Sequence, residues 1–145
     1  MRMPMLFFET DAGEPCPIAF SGDTSVLVYF LSLAFSTRYG AQHDLSKLAL
    51  ILRGEHKIDL DPLTTFADRN VEEEADEREL ARVWQDAVPL AGTLNSVLAV
   101  LDHPDERIAA TLADTPDLTP RLHDLLRMVE WAAVRRARVR MTFEL

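Results

Sequence analysis

From Thr24 to Thr37 the chain carries no charge, and the stretch 24–39 (TSVLVYFLSLAFSTRY) is mostly apolar. Few folds have room for such a segment. Wound as a helix at about 100° per residue, it places Ser25, Tyr29, Ser32, Ser36 and Tyr39 on one line. Val26, Leu27, Val28, Phe30, Leu31, Leu33, Ala34 and Phe35 cover the remainder. A helix that is apolar over most of its girth belongs in a core or against a partner. Asp23 or Thr24 offers an oxygen to cap its start, and Gly40 stands where a left-handed residue would end it. A membrane span needs ~20 apolar residues, and Asp23 and Arg38 close this run before that. The stretch predicts the central helix of a globular domain.

The line of hydroxyls reads in two ways. Small serines let another helix approach, and their hydroxyls can bond back to the carbonyl four residues earlier. Alternatively, Ser25, Tyr29, Ser32 and Ser36 line a polar slot for a ligand. The first reading fits the apolar surroundings more simply.

A chain of 145 residues has the size of one domain, with no linker or repeat to divide it. The net charge of −9 argues against bulk affinity for nucleic acid or an anionic membrane. Cys16 is the sole cysteine, so neither an internal disulfide nor a cysteine zinc cluster can form within the chain. Its Cys-Pro pair resembles short haem-responsive motifs, but a packed or exposed loop thiol explains it as well, and no cofactor is implied. The opening MRMPMLFFET lacks the long apolar region of a secretory signal. A cytoplasmic location, without membrane attachment, is the expectation.

Turn residues and periodicity divide the chain. Residues 5–10 read as a strand, 11–15 as a turn, and 17–20 as the returning strand of a hairpin. Beyond the central helix, Asp44 can cap a helix over 45–53 ended by Gly54, although LALIL also alternates like a strand. Residues 57–60 suggest a short strand. Asp61-Pro62 is a helix-start signal, predicting a helix to about Arg69. The longest helical pattern runs from Glu72 to about Asp102, and Pro89 should divide or kink it near Val88. Pro104 and Pro120 open further helices, 104–113 and 120–137, the latter with Leu122, Leu125, Leu126, Val129 and Ala133 as its buried stripe. Val139, Met141, Phe143 and Leu145 alternate with Arg138, Arg140, Thr142 and Glu144, which predicts a half-buried strand pairing with the N-terminal hairpin. The expected fold is α+β and predominantly helical, with about five to six helices packed around helix 24–39 and a small sheet joining the termini.

Glu72, Glu73, Glu74, Asp76, Glu77 and Glu79 form the densest acidic run. On a helix Glu73, Asp76 and Glu77 share a face and are the candidate ligands for Mg²⁺, Mn²⁺ or Ca²⁺. Acidic residues in a first turn also complement the helix dipole, and Glu74–Arg78 is a well-oriented pair, so a solvated face explains the run without a metal. His43, His56, His103 and His123 make no metal-ligand pattern. His103, between Asp102 and Asp105, is the best candidate for a general base, and capping the following helix is its simpler role. Neither Cys16 nor Ser21 has an activating base near it in sequence. No nucleophile elbow and no glycine-rich phosphate loop occurs.

Arg135, Arg136, Arg138 and Arg140 form the one basic cluster. They can offset a helix dipole and guard an edge strand, bind an acidic partner or phosphate, or meet the Glu72–Glu79 run. Together these features predict a non-enzymatic interaction module. Self-association into a homo-oligomer is its simplest form, through Phe30 and Phe35 or the terminal strands. A more specific form, by analogy with immunity proteins and antitoxins, is an acidic protein that neutralises a basic partner protein. The alternatives are a ligand-binding protein or enzyme with its pocket beside Ser25, Tyr29, Ser32 and Ser36, and nucleic-acid binding through the arginines.

Overall fold

The structure is a computed structural model that describes residues 3–35 and 43–145. Its elements follow in the order β1 (Met5–Thr10), α1 (Ser25–Phe35), α2 (Asp44–Gly54), β2 (Ala67–Asp68), α3 (Glu74–Arg82), β3 (Trp84–Asp86), α4 (Ala87–Leu101), α5 (Glu106–Asp114), α6 (Leu118–Val134) and β4 (Arg138–Glu144). The architecture is α+β and predominantly helical, with a small mixed sheet. Ser36, Arg38, Tyr39 and Gly40 lie outside the described residues. Among the described residues no helix is long and apolar enough to cross a membrane.

β4 is the strand on which the sheet is built. β1 runs antiparallel along it, with Met5 opposite Glu144 and Thr10 opposite Val139. On its other side β3 pairs antiparallel, Trp84 opposite Arg140, and β2 pairs parallel, Ala67 opposite Thr142. The two terminal strands thus meet as their alternation predicts. The hairpin does not form: residues 17–20 are not a strand. Pro15 and Pro17 have no N–H to give a ladder, and at the outer edge of β1 the Leu6 N–H donates instead to Thr24 Oγ1 at 2.9 Å. Val139 and Met141 are buried as expected, but so is Thr142, because β4 is flanked there by both Phe7 and Ala67. Leu145, expected on the buried face, is exposed beyond the last paired residue.

Against this sheet stand the helices. α4 and α6 form the most extensive helix pair, with Leu90, Leu94, Leu122, Leu125 and Val129 fully buried. α1 lies across α2, β1 and α6 and buries Leu27, Val28, Phe30, Leu31 and Ala34. Burying each such large side chain contributes about 1.5–3 kcal/mol. α1 is therefore a core helix, but a one-sided one: Tyr29 and Phe35 face outward. Phe30, expected as an interaction residue, is at 0% exposure and belongs wholly to the core. On α2, Leu45, Leu48 and Leu52 make the buried face, as their spacing predicts.

Several boundaries differ from the sequence expectation, each for a local reason. His43, not Asp44, caps α2: its Nδ1 accepts from the Leu45 N–H at 3.1 Å. Gly54 stays within α2, and the left-handed residue that turns the chain is Lys57, at φ +57°. That turn replaces the strand expected over 57–60. Asp61-Pro62 starts a single turn, not a helix to Arg69. The hydroxyls of Thr64 and Thr65 both donate to the Asp61 carbonyl, at 3.2 and 2.8 Å, and so compete with a continuing helix; the chain then extends into β2. The long pattern from Glu72 does divide, but at Val83 through β3, not at Val88. Pro89 is the third residue of α4 and Pro120 the third of α6, where a backbone N–H would have no intrahelical carbonyl to donate to. Asp105 caps α5, accepting from the Ile108 N–H at 2.9 Å, so that helix starts after Pro104.

Candidate functional site

Of the described hydroxyl line, Ser25 and Tyr29 border one hollow and Ser32 borders a different cleft. Ser25 Oγ donates to Asp23 Oδ2 at 2.9 Å at the start of the helix, so this hydroxyl serves a local turn. Tyr29 opens on a small hollow of about 290 Å³ beside His43, Asp114 and Asp117. Ser32 faces another side of the molecule. There it lines a cleft of about 470 Å³ together with Phe35, Thr64, Phe66, Phe143 and the carboxylates Asp68, Asp76 and Glu79. This volume lies within the ~300–1,000 Å³ of ligand pockets. Three elements make the floor. Phe35, at the end of α1, meets Phe66 edge to face with ring centres 6.5 Å apart, and Phe66 meets Phe143 of β4 at 5.6 Å. Phe35 is 71% exposed, a high value for a phenyl ring already in contact with another.

The acidic rim of the cleft comes from β2 and α3. Asp68 Oδ1 accepts the Asn70 N–H at 2.9 Å, and Glu79 Oε1 accepts from Arg82 at 2.9 Å. Asp76 Oδ2 accepts the N–H groups of Glu72 and Glu73, at 2.9 and 3.0 Å, which fixes the start of α3. The candidate metal set is thereby dispersed. Glu73 is the residue preceding the helix, Asp76 turns back to cap it, and no group of three or more metal-ligating side chains exists among the described residues. Glu77 stands on the exposed surface of α3, and Glu74 pairs with Arg78 at 3.9 Å, as the spacing predicts.

His103 gains neither the capping role nor a carboxylate partner. Asp105 caps α5, and Asp102 instead meets His123 across helices, with Nε2 3.0 Å from Oδ1. His103 also lies away from the cleft and its hydroxyls, so it and the α1 line do not make one site. Cys16 Sγ lies 3.6 Å from the Ile18 carbonyl, a packed loop thiol.

The arginines do not reach the carboxylates of the Glu72–Glu79 run. They meet the acidic residues of β1 and the loop after it. Arg135 Nε is 3.1 Å from Glu14, Arg138 Nε 3.2 Å from Asp11, and Arg140 Nε 2.5 Å from Glu9. Each guanidinium also lies over an indole: Arg135 is 3.9 Å from the Trp131 ring centre, and Arg140 and Arg138 are 4.8 and 6.0 Å from that of Trp84. Two N–H···carboxylate bonds from Arg138, backbone first and side chain second, hold Asp11 below the ordinary carboxylate range against the opposing effect of its partial desolvation. Arg136 occupies the turn between α6 and β4 in a left-handed conformation, φ +55°. Three of the four candidate arginines are therefore already neutralised and stacked within the fold.

One polar centre escapes a reading of the sequence. Asp124 is 2% exposed on the inward face of α6. Its Oδ2 accepts the backbone N–H and the hydroxyl of Ser21, at 2.9 and 2.7 Å, and one N–H of Arg121 at 3.2 Å, while Arg127 holds Oδ1. Arg121 reaches on to Ser21 Oγ at 2.6 Å and the Asp23 carbonyl at 3.1 Å. Burial raises the Asp124 pKa, but the two Ser21 donors and the two guanidinium groups outweigh it and hold the carboxyl below its usual value. A Cβ on Gly22 would come within 2.4 Å of the Arg121 guanidinium, so this glycine leaves the side chain its passage. The Arg-x-x-Asp-x-x-Arg spacing 121–124–127 was the legible signal; the Ser21 partner, far off in sequence, was not. With Ser21 bound to a carboxylate and an arginine and no histidine among these contacts, the cluster pins the loop before α1 to α6. Comparison with protein-family models, with curated proteins and with solved structures found no match to this chain.

Proposed function

We propose that this chain is a non-enzymatic interaction module that engages a protein partner through the cleft at the end of α1. One observation carries the reading: Phe35 remains 71% exposed at the mouth of a cleft floored by Phe66 and Phe143. An apolar ring left in water and continuous with an apolar cleft floor is the kind of exposed patch that marks a contact surface. Self-association is the simplest form of this function, and a second copy of the chain is then the partner.

The test is photo-crosslinking in the cells that produce the protein, with p-benzoylphenylalanine at position 35 and, as a control, at the exposed Val134. A protein adduct at position 35 and none at 134 is the expected result, and an adduct of twice the chain mass identifies self-association. No adduct at 35 above the control overturns the proposal. The same cleft favours one second reading, a small-ligand pocket, because Ser32 lines it beside Asp76 and Glu79. Native mass spectrometry of the purified protein distinguishes the two: a bound organic mass lost on Phe35→Ala would support the pocket.

A further inference from the structure

The fold repeats one arrangement on its surface. At Trp131 and Trp84 a guanidinium lies near an aromatic ring and also pairs with a carboxylate: Arg135 with Trp131 and Glu14, Arg140 with Trp84 and Glu9, and Arg138 with Trp84 and Asp11. Arg69 likewise covers the Phe7 ring, at 3.8 Å. Ring faces carry negative potential, so a cation between a ring and a carboxylate is attracted from both sides, most strongly where water is partly excluded. Guanidinium suits the position because it is planar, always charged and weakly hydrated.

The cleft at the end of α1 also sets carboxylates beside aromatic rings. Phe35, Phe66 and Phe143 form its floor, Asp68, Asp76 and Glu79 its rim, and among the described residues no lysine or arginine lines it. Among the described residues no cation stands over these rings. Arg82 neutralises Glu79 in part, whereas Asp68 and Asp76 accept only backbone N–H groups. The cleft thus joins an apolar floor to uncompensated negative charge.

Resting on the interaction-module reading, we propose that the cleft recognises an arginine side chain on a basic segment of another protein, the guanidinium between the carboxylate rim and the phenyl rings and a neighbouring apolar residue against Phe35. A protein segment suits it better than a free small cation: the cavity of about 470 Å³ holds more than one guanidinium, and its floor is apolar. The chain's net charge of −9 steers a basic partner toward it and opposes a phosphate or a nucleic acid.

The experiment is a titration of ¹⁵N-labelled full chain, followed by amide shifts. The probe is acetyl-Leu-Arg-Leu-Arg-Leu-amide, compared with the same peptide carrying neutral citrulline for arginine and with arginine amide alone. The expected result is saturable shifts at Phe66, Asp68, Asp76 and Glu79 that weaken with added salt. Affinity should be at least tenfold lower for the citrulline peptide, for arginine amide, and for the double variant Asp68→Asn, Glu79→Gln. That variant keeps the acceptor for the Asn70 N–H, and both residues are exposed, so it should melt like the parent. Equal affinity of the citrulline peptide, absence of shifts in the cleft, or arginine amide binding as tightly as the peptide would each overturn the proposal. A crosslinked protein at position 35 together with no response to the arginine peptide leaves the interaction module standing and removes only its cation specificity. Peptide binding without any crosslinked protein does the reverse.

Discussion

Two acidic regions of this molecule invite comparison. The run from Glu72 to Glu79 is conspicuous in sequence, yet α3 has no buried residue, and its carboxylates face water, cap their own helix or pair at the surface. Asp124 is a single carboxylate in the middle of an ordinary helix, and it gathers Ser21, Arg121 and Arg127 around a buried centre. Coulomb attraction between exposed charges is largely screened, whereas a desolvated charge with every lone pair engaged is costly to disturb. Density of charge in sequence is therefore a poor guide to where charge holds the structure. The exposed run remains free to act outward, and the buried one acts only inward.

Mutation can break this contrast in order of size. Asp124→Ala should cost most, about 3 kcal/mol in urea unfolding, because it leaves the Ser21 N–H without its acceptor and the largely buried Arg121 without its counter-charge. A loss below about 1 kcal/mol would place Asp124 with the surface carboxylates. The same group has a pH signature. Its folded pKa lies below the ordinary value, so its contribution is full above the unfolded carboxylate pKa and is lost as pH falls through the folded one. Asp124→Asn should flatten the stability profile on the acid side of pH 4. Gly22→Ala comes next, at about 1–2 kcal/mol, since its methyl must displace the Arg121 guanidinium. In an Arg121→Ala background the same change should cost little, which thermal melts of the double variant would show. Asp76→Ala removes the acceptor for two N–H groups and should cost about 1 kcal/mol locally, visible as faster amide exchange at the start of α3 with the global midpoint nearly unmoved. Glu74→Gln, which breaks a 3.9 Å pair, should change stability by less than about 0.5 kcal/mol.

What the sequence made legible follows the range of the forces involved. Local signals were reliable where nothing distant opposed them: the apolar strand β1, the alternation at Val139 and Met141 of β4, the leucine face of α2, the stripe of α6. Long-range pairing overruled local pattern in the middle of the chain. Trp84–Asp86 sits inside a helical periodicity, yet it is drawn out into β3 because β4 offers it a ladder. Asp61-Pro62 has the chemistry of a helix start, but two threonine hydroxyls and the pairing of β2 with β4 end the helix after one turn. The proposed site shows the same division. Ser32, Phe35 and Asp76 were visible as members of a hydroxyl line, an apolar helix and an acidic run. Phe66 carried no signal and Phe143 only that of a strand face, since their place in the cleft exists only where β2 and β4 bring them beside the end of α1.

The placement of β4 has a consequence for how the chain reaches its fold. The other strands of the sheet all bond to β4, and β4 follows every one of them in the chain. Until it emerges from the ribosome, β1, β2 and β3 have no ladder to join, and the inward faces of the helices have no sheet to lie on. The helices α4 and α6 can pair first, since both precede it. The sheet must then close in one late step that brings residues 5–10 to residues 139–144 across almost the whole chain. Such distant closure is slow, and a nascent chain waiting for it holds β1, with Phe7 and Phe8, as an unpaired strand within reach of chaperones.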